Sequence, residues 1–206
     1  QITPYYGLSA YLSSQDRFAE AMSTLREIVR FAPDNERVYI ALAALPTRRG
    51  DLAAATAIYQ EGLAAQPNNP ELYLNFAEWL LGKGRSAEAE AVYIKALEQM
   101  PMNGTLQREL ADYLKESGRA ERAIALYQKT IDQGLADGYM TYTQLGDILF
   151  SQGRNAEAKA AYEQAVMISP DAYSKLGRFI ESTEGAAAAI TLFQQAAEKP
   201  RVKDKR

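Results

Sequence analysis

Three residue series in this chain share one period. Prolines stand at Pro33, Pro67 and Pro101, glycines at Gly50, Gly84 and Gly118, and alanines at Ala21, Ala55, Ala89 and Ala123, each 34 residues after the last. After one extra residue the glycine and alanine series continue at Gly153 and Ala158. Four residues beyond each alanine comes Leu25, Tyr59, Tyr93, Tyr127 or Tyr162. Repetition in phase means that the chain is built from copies of one supersecondary unit, which buries its apolar face only by stacking on the next copy.

Each series has a physical role in a pair of helices. Leu72, Phe76, Ala77 and Leu80 place apolar residues three and four apart and predict an amphipathic first helix. The glycine follows that helix, where a left-handed backbone lets the chain reverse without a Cβ clash. In the second helix the alanine allows close approach, and the tyrosine or leucine one turn later fills the space toward the next unit. In Pro67-Asn68-Asn69-Pro70-Glu71, Asn69 is expected to cap the following helix, and Pro70 suits its first turn.

This pattern resembles the tetratricopeptide repeat. The third unit carries it in Tyr73, Phe76, Ala77, Leu80, Gly84, Ala89, Tyr93, Ala96 and Pro101, and the fifth in Tyr142, Leu145, Gly146, Leu149, Gly153, Ala158, Tyr162, Ala165 and Pro170. The resemblance implies an all-α, right-handed superhelical solenoid, with first helices lining a concave groove and second helices forming its back. A single array is expected over residues 1–200, in units at 2–35, 36–69, 70–103, 104–138 and 139–172 and a shortened sixth at 173–200 that drops about four residues around Glu184-Gly185. That sixth unit is read as the terminal cap, for which a polar outer face is expected. Residues 201–206 are expected to form a disordered basic tail.

Composition narrows the function. The chain has no cysteine and no histidine, which removes disulfides, Cys-His and Ser-His-Asp nucleophiles and most transition-metal sites, so neither an enzyme nor a bound cofactor is expected. With 26 acidic and 23 basic residues the formal charge is −3, which offers no electrostatic footprint for nucleic acid. No apolar stretch is long enough to insert in a membrane. The start at Gln1 is read as that of a mature or excised fragment.

Groove residues follow from the resemblance, which implies that positions two, five, nine, twelve and thirteen of each unit face a ligand. The ninth position reads Ala10, Ala44, Glu78, Asp112, Asp147 and Glu181. Carboxylates one repeat apart, roughly 10 Å by ordinary helix packing, are too distant to share a metal. They form either an acidic strip favouring Lys- or Arg-containing segments or four ordinary solvated carboxylates, and Arg108 is placed to pair with Asp112 one turn on. The fifth position reads Tyr6, Ile40, Leu74, Arg108, Thr143 and Gly177, apolar first and polar later. Tyr6, Ile40 and Leu74 are therefore either ligand contacts or core.

Pro46 is expected to kink the first helix of the second unit or end it early, either as a tolerated kink near the helix end or as one that re-aims Arg48 and Arg49 toward the groove edge. The extra residue and two glycines in 132–138 suggest either a tolerated insertion or a local change of twist that could act as a hinge. Trp79, at a tenth position held elsewhere by Tyr11, Leu45, Tyr113 and Ile148, is read as core. Two known ligand modes of the family are not supported. Tyr6 and Ala10 stand where a carboxylate clamp needs lysine and asparagine, and Asn75 alone fits an asparagine ladder. The expectation is a scaffold that binds a protein or peptide client with basic and apolar residues, in bacterial envelope assembly, secretion or polysaccharide export, and in the periplasm rather than the cytoplasm by family analogy. The alternatives are a regulatory domain of a larger enzyme and a self-assembling spacer that forms a homo-oligomer.

Overall fold

The computed structural model describes residues 2–136 and 138–198. The chain divides into two compact units, Gln1–Pro101 and Met102–Arg206. In the first unit α1 (Thr3–Ser14), α3 (Glu36–Arg48) and α5 (Pro70–Gly82) are first helices, paired with α2 (Phe18–Phe31), α4 (Leu52–Ala65) and α6 (Ser86–Gln99). In the second unit α7 (Gly104–Glu116), α9 (Gly138–Ser151) and α11 (Tyr173–Glu184) pair with α8 (Ala120–Asp132), α10 (Asn155–Ile168) and α12 (Ala186–Glu198). Within each unit every pair stacks on the next, so the architecture is all-α and of the tetratricopeptide α-solenoid kind.

The periodic residues do what their chemistry requires. Asn35, Asn69 and Asn103 are spaced by one repeat, and each side chain accepts from a backbone N–H in the first turn of α3, α5 or α7, as expected at Asn69. Gly50, Gly84, Gly118 and Gly153 all have φ between 71° and 77°, closing the turn after a first helix. In the first repeat Asp16 holds the same left-handed place at φ 59°. In the second helices Ala21, Ala55, Ala89, Ala123 and Ala158 are fully buried, as are or nearly are Leu25, Tyr59, Tyr93, Tyr127 and Tyr162 one turn on.

Three sequence expectations need correction. Helix α3 does not end early at Pro46: its 13 residues equal those of α5 and α7. Pro46 lies two residues from the helix end, where loss of one backbone bond interrupts nothing that follows. The sixth repeat is shortened at its start and not at Glu184-Gly185. There the inter-repeat loop is replaced by a 3-10 turn, Pro170–Ala172, that leads directly into α11. Its last helix also lacks the polar outer face of a cap, since Ile190 and Phe193 of α12 are exposed. The basic tail, and Asp137 in the glycine-bearing insertion, lie outside the described residues.

Candidate functional site

In the first unit, the fifth-position residues Tyr6, Ile40 and Leu74 occupy equivalent places on α1, α3 and α5, and all three are half-buried. They are neither sealed core nor free surface. The Tyr6 hydroxyl donates to Asn35 Oδ1 at 3.3 Å, which ties α1 to the N-terminus of α3. Burial, and then the charge of Glu36, raise its pKa. Arg48 donates to Ser13 Oγ at 2.9 Å, a second tie between first helices. Its neighbour Arg49 instead lies over the Phe18 ring, 5.6 Å from the centroid. The two arginines expected to act as a pair thus face α1 and α2 separately.

Trp79 is not sealed in the core. It is half-buried, its Nε1 donates to Thr47 Oγ1 at 3.0 Å, and its ring centroid lies 5.5 Å from that of Tyr59. Glu78 beside it is exposed and makes no hydrogen bond or ion pair among the described residues. Burial and then the charge of Glu78 push the Tyr59 hydroxyl up to about 12.

The second unit uses its ninth-position carboxylates internally. Asp112 accepts from the Tyr127 hydroxyl at 2.5 Å and from Arg108 at 3.2 Å, with Lys115 Nζ 3.6 Å away. Asp147 accepts from the Tyr162 hydroxyl at 2.8 Å and from Lys175 Nζ, on the next first helix, at 2.6 Å. Lys115 also reaches Gln144, joining α7 to α9. Burial, and then the bonded carboxylate, hold both tyrosine hydroxyls well above their ordinary range. Arg108 is largely buried between Asp112 and Glu109, and its Nε is without a partner.

The register of the sixth repeat alters the last member of the acidic series. A Cβ on Gly146 would lie 2.7 Å from the Tyr162 ring, and one on Gly177 would lie 2.3 Å from the Phe193 ring. Leu176-Gly177 therefore packs as Leu145-Gly146 does, and Phe193 stands where Tyr162 stands. Counted from these contacts, the ninth position of the sixth repeat is the exposed Arg178, while Glu181 lies one turn further along α11 and is exposed. A continuous acidic strip is not what this face presents. In the second unit Asp112 and Asp147 are matched by Arg108, Lys115 and Lys175, and Arg178 follows them.

Among the described residues, no group of His, Cys, Asp and Glu side chains could hold a metal ion, and no helix is long and apolar enough to cross a membrane. Two family models, both described as tetratricopeptide repeat, match residues 47–101 and 141–172. With the repeat geometry above, they show that the chain carries tetratricopeptide repeats. No curated protein matches the sequence.

Solved structures with the same fold are distant in sequence. PilF of Pseudomonas aeruginosa is 16% identical with a TM-score of 0.60, over 94% of this chain and 89% of that one. PilW, described as a widely conserved type IV pilus biogenesis factor, is 16% identical with a TM-score of 0.61, over 98% and 95%. MamA of Desulfovibrio magneticus RS-1 is 20% identical with a TM-score of 0.59, over 83% and 98%. Identities this low carry the fold and not the client.

Proposed function

We propose that the chain is a protein-interaction scaffold that holds an extended or helical segment of a client on its first-helix face. The observation that carries this reading is the state of Tyr6, Ile40 and Leu74. They are half-buried, largely apolar side chains at one repeat position, set on helices already tied together by side-chain hydrogen bonds. Such a surface is pre-ordered, so a ligand loses little free energy in organising it. Glu78 stands one helical turn from Leu74 with its carboxylate uncommitted. The fitting client is therefore an amphipathic segment with apolar anchors and a Lys or Arg set to meet Glu78, whose charge contributes mainly to encounter rate and orientation.

The client belongs to bacterial envelope assembly in this reading, in the periplasm, by analogy with the pilus biogenesis role given to PilW. Capture from an extract of the native cells tests the face itself. Glu78→Lys, at an exposed position, should leave thermal unfolding unchanged, Leu74→Ser, at a half-buried one, should lower the midpoint only modestly, and each should lower client recovery about tenfold, equivalent to about 1.4 kcal/mol of binding. Undiminished recovery with both variants would rule out this face as the site.

A further inference from the structure

Interior repeats bury two sets of residues against each other, and the two ends of the described chain each expose one set. At interior junctions the aromatic at position 24 of one repeat meets position ten of the next. Tyr59 lies 5.5 Å from Trp79, and Tyr162 lies 5.4 Å from Phe179, centroid to centroid. Position 24 also reaches position seven, with Tyr59 stacked at 4.8 Å on Phe76. In the first repeat, positions seven and ten are Leu8 and Tyr11, and they are 51% and 62% exposed. In the sixth, position 24 is Phe193, 45% exposed, with Ile190 beside it at 57%. Apolar faces of this kind on a protein surface mark interaction sites.

We infer that a second copy of this chain stacks its α12 face on the α1 face of the first, so that Phe193 meets Tyr11 as Tyr59 meets Trp79. The occupant is identified by complementarity: what each end lacks is what the other end presents, and the fold already makes that joint inside each unit. The internal joint also carries a hydrogen bond from Arg85 to Thr56. At the end joint, Arg17 and Ile190 hold the corresponding places and cannot form it. The end joint is therefore drier, and at the scale of one repeat face it falls below about 1,200 Å², the range of weak, reversible interfaces. The contact is heterologous, so each joined pair keeps one open face of each kind and further copies add in the same way.

Sedimentation equilibrium of the 206-residue chain from micromolar to millimolar concentration tests this. The weight-average mass should rise with concentration, whereas Tyr11→Glu and Phe193→Glu should each stay monomeric throughout. Mixed in equal amounts, the two variants should form a pair and nothing larger, because the mixture retains one intact face of each kind. Leu8→Glu and Ile190→Glu, both at open positions, repeat the test should a ring substitution disturb folding, which circular dichroism reads directly. A wild-type mass that does not rise, self-association by either single variant, or a mixture that stays monomeric would each overturn the joint.

Discussion

Replacing Tyr127 by alanine is expected to lower the unfolding free energy by about 3–5 kcal/mol, the range for deleting a buried aromatic side chain. Tyr127 is fully buried in α8, where the ring fills the space that the small, fully buried Ala123 leaves one turn earlier. Its hydroxyl donates to Asp112 at 2.5 Å. Tyr127→Phe keeps the ring and removes only that bond, so it should cost about 1.5–3 kcal/mol, the range for hydrogen bonds to charged groups. The carboxylate keeps Arg108 and Lys115 as neighbours, which holds the cost of the phenylalanine variant below that of alanine. Urea unfolding with an unchanged slope and a lowered midpoint is the measurement. An alanine variant no less stable than the phenylalanine variant would show that the ring is not the main support of the fourth repeat.

Gly104→Ala should destabilise by about 1–3 kcal/mol, the usual range for overpacking a filled site. Helix propensity alone predicts the reverse, since alanine is better than glycine in a helix by about 1 kcal/mol. The reason is local and steric. A Cβ on Gly104, the first residue of α7, would lie 2.1 Å from the carbonyl oxygen of Leu135, and a backbone atom cannot swing aside as a side chain can. Gly82→Ala is the control: it ends α5 with nothing within 4 Å of its Cβ position, so it should leave stability unchanged or raise it by up to about 1 kcal/mol. Thermal unfolding of the two variants side by side should give shifts of opposite sign. A Gly104→Ala midpoint at or above the wild-type value would contradict the account.

Gly104 also explains a feature that the sequence shows without its cause. The extra residue between the fourth and fifth repeats, in the stretch 132–138, is visible by counting. That it brings the Leu135 carbonyl onto the start of α7 is not, because that contact joins segments about thirty residues apart. The same holds for the buried pair in which Thr130 donates to Gln107 at 2.8 Å. Gln107 replaces the tyrosine of the other repeats and Thr130 the glycine or alanine found at its place in most of them, and single-sequence periodicity reads both only as exceptions.

The helix pairs, their turns and their packing alanines and tyrosines were legible because one geometry recurs at a fixed spacing and each copy supports the reading of the others. Departures from the period were harder. Counting the sixth repeat from Tyr173, with its gap at Glu184-Gly185, puts Glu181 at the ninth position, although Leu176-Gly177 and Ala189 repeat Leu145-Gly146 and Ala158 at one common spacing of 31 residues. That signal was present in the sequence and would have placed Arg178, not Glu181, at the ninth position. The pairing of Arg108 with Asp112 was legible because it lies within one helix. The bonds from Tyr127, Tyr162 and Lys175 to the ninth-position carboxylates cross between helices, and helical spacing does not reveal them. At Pro46 the helix continues to Arg48, as a proline tolerated near the helix end allows.

The central claim is that the first-helix face, and not the second-helix surface, receives the client. Photo-crosslinking in native cells addresses it, with a benzophenone amino acid placed at Ile40 or Leu74 on the first helices, or at the exposed Gln60 or Lys95 on the second helices. The same client adduct is expected from Ile40 and Leu74 and none from Gln60 or Lys95. An adduct formed from Gln60 or Lys95 and absent at Ile40 and Leu74 would contradict it.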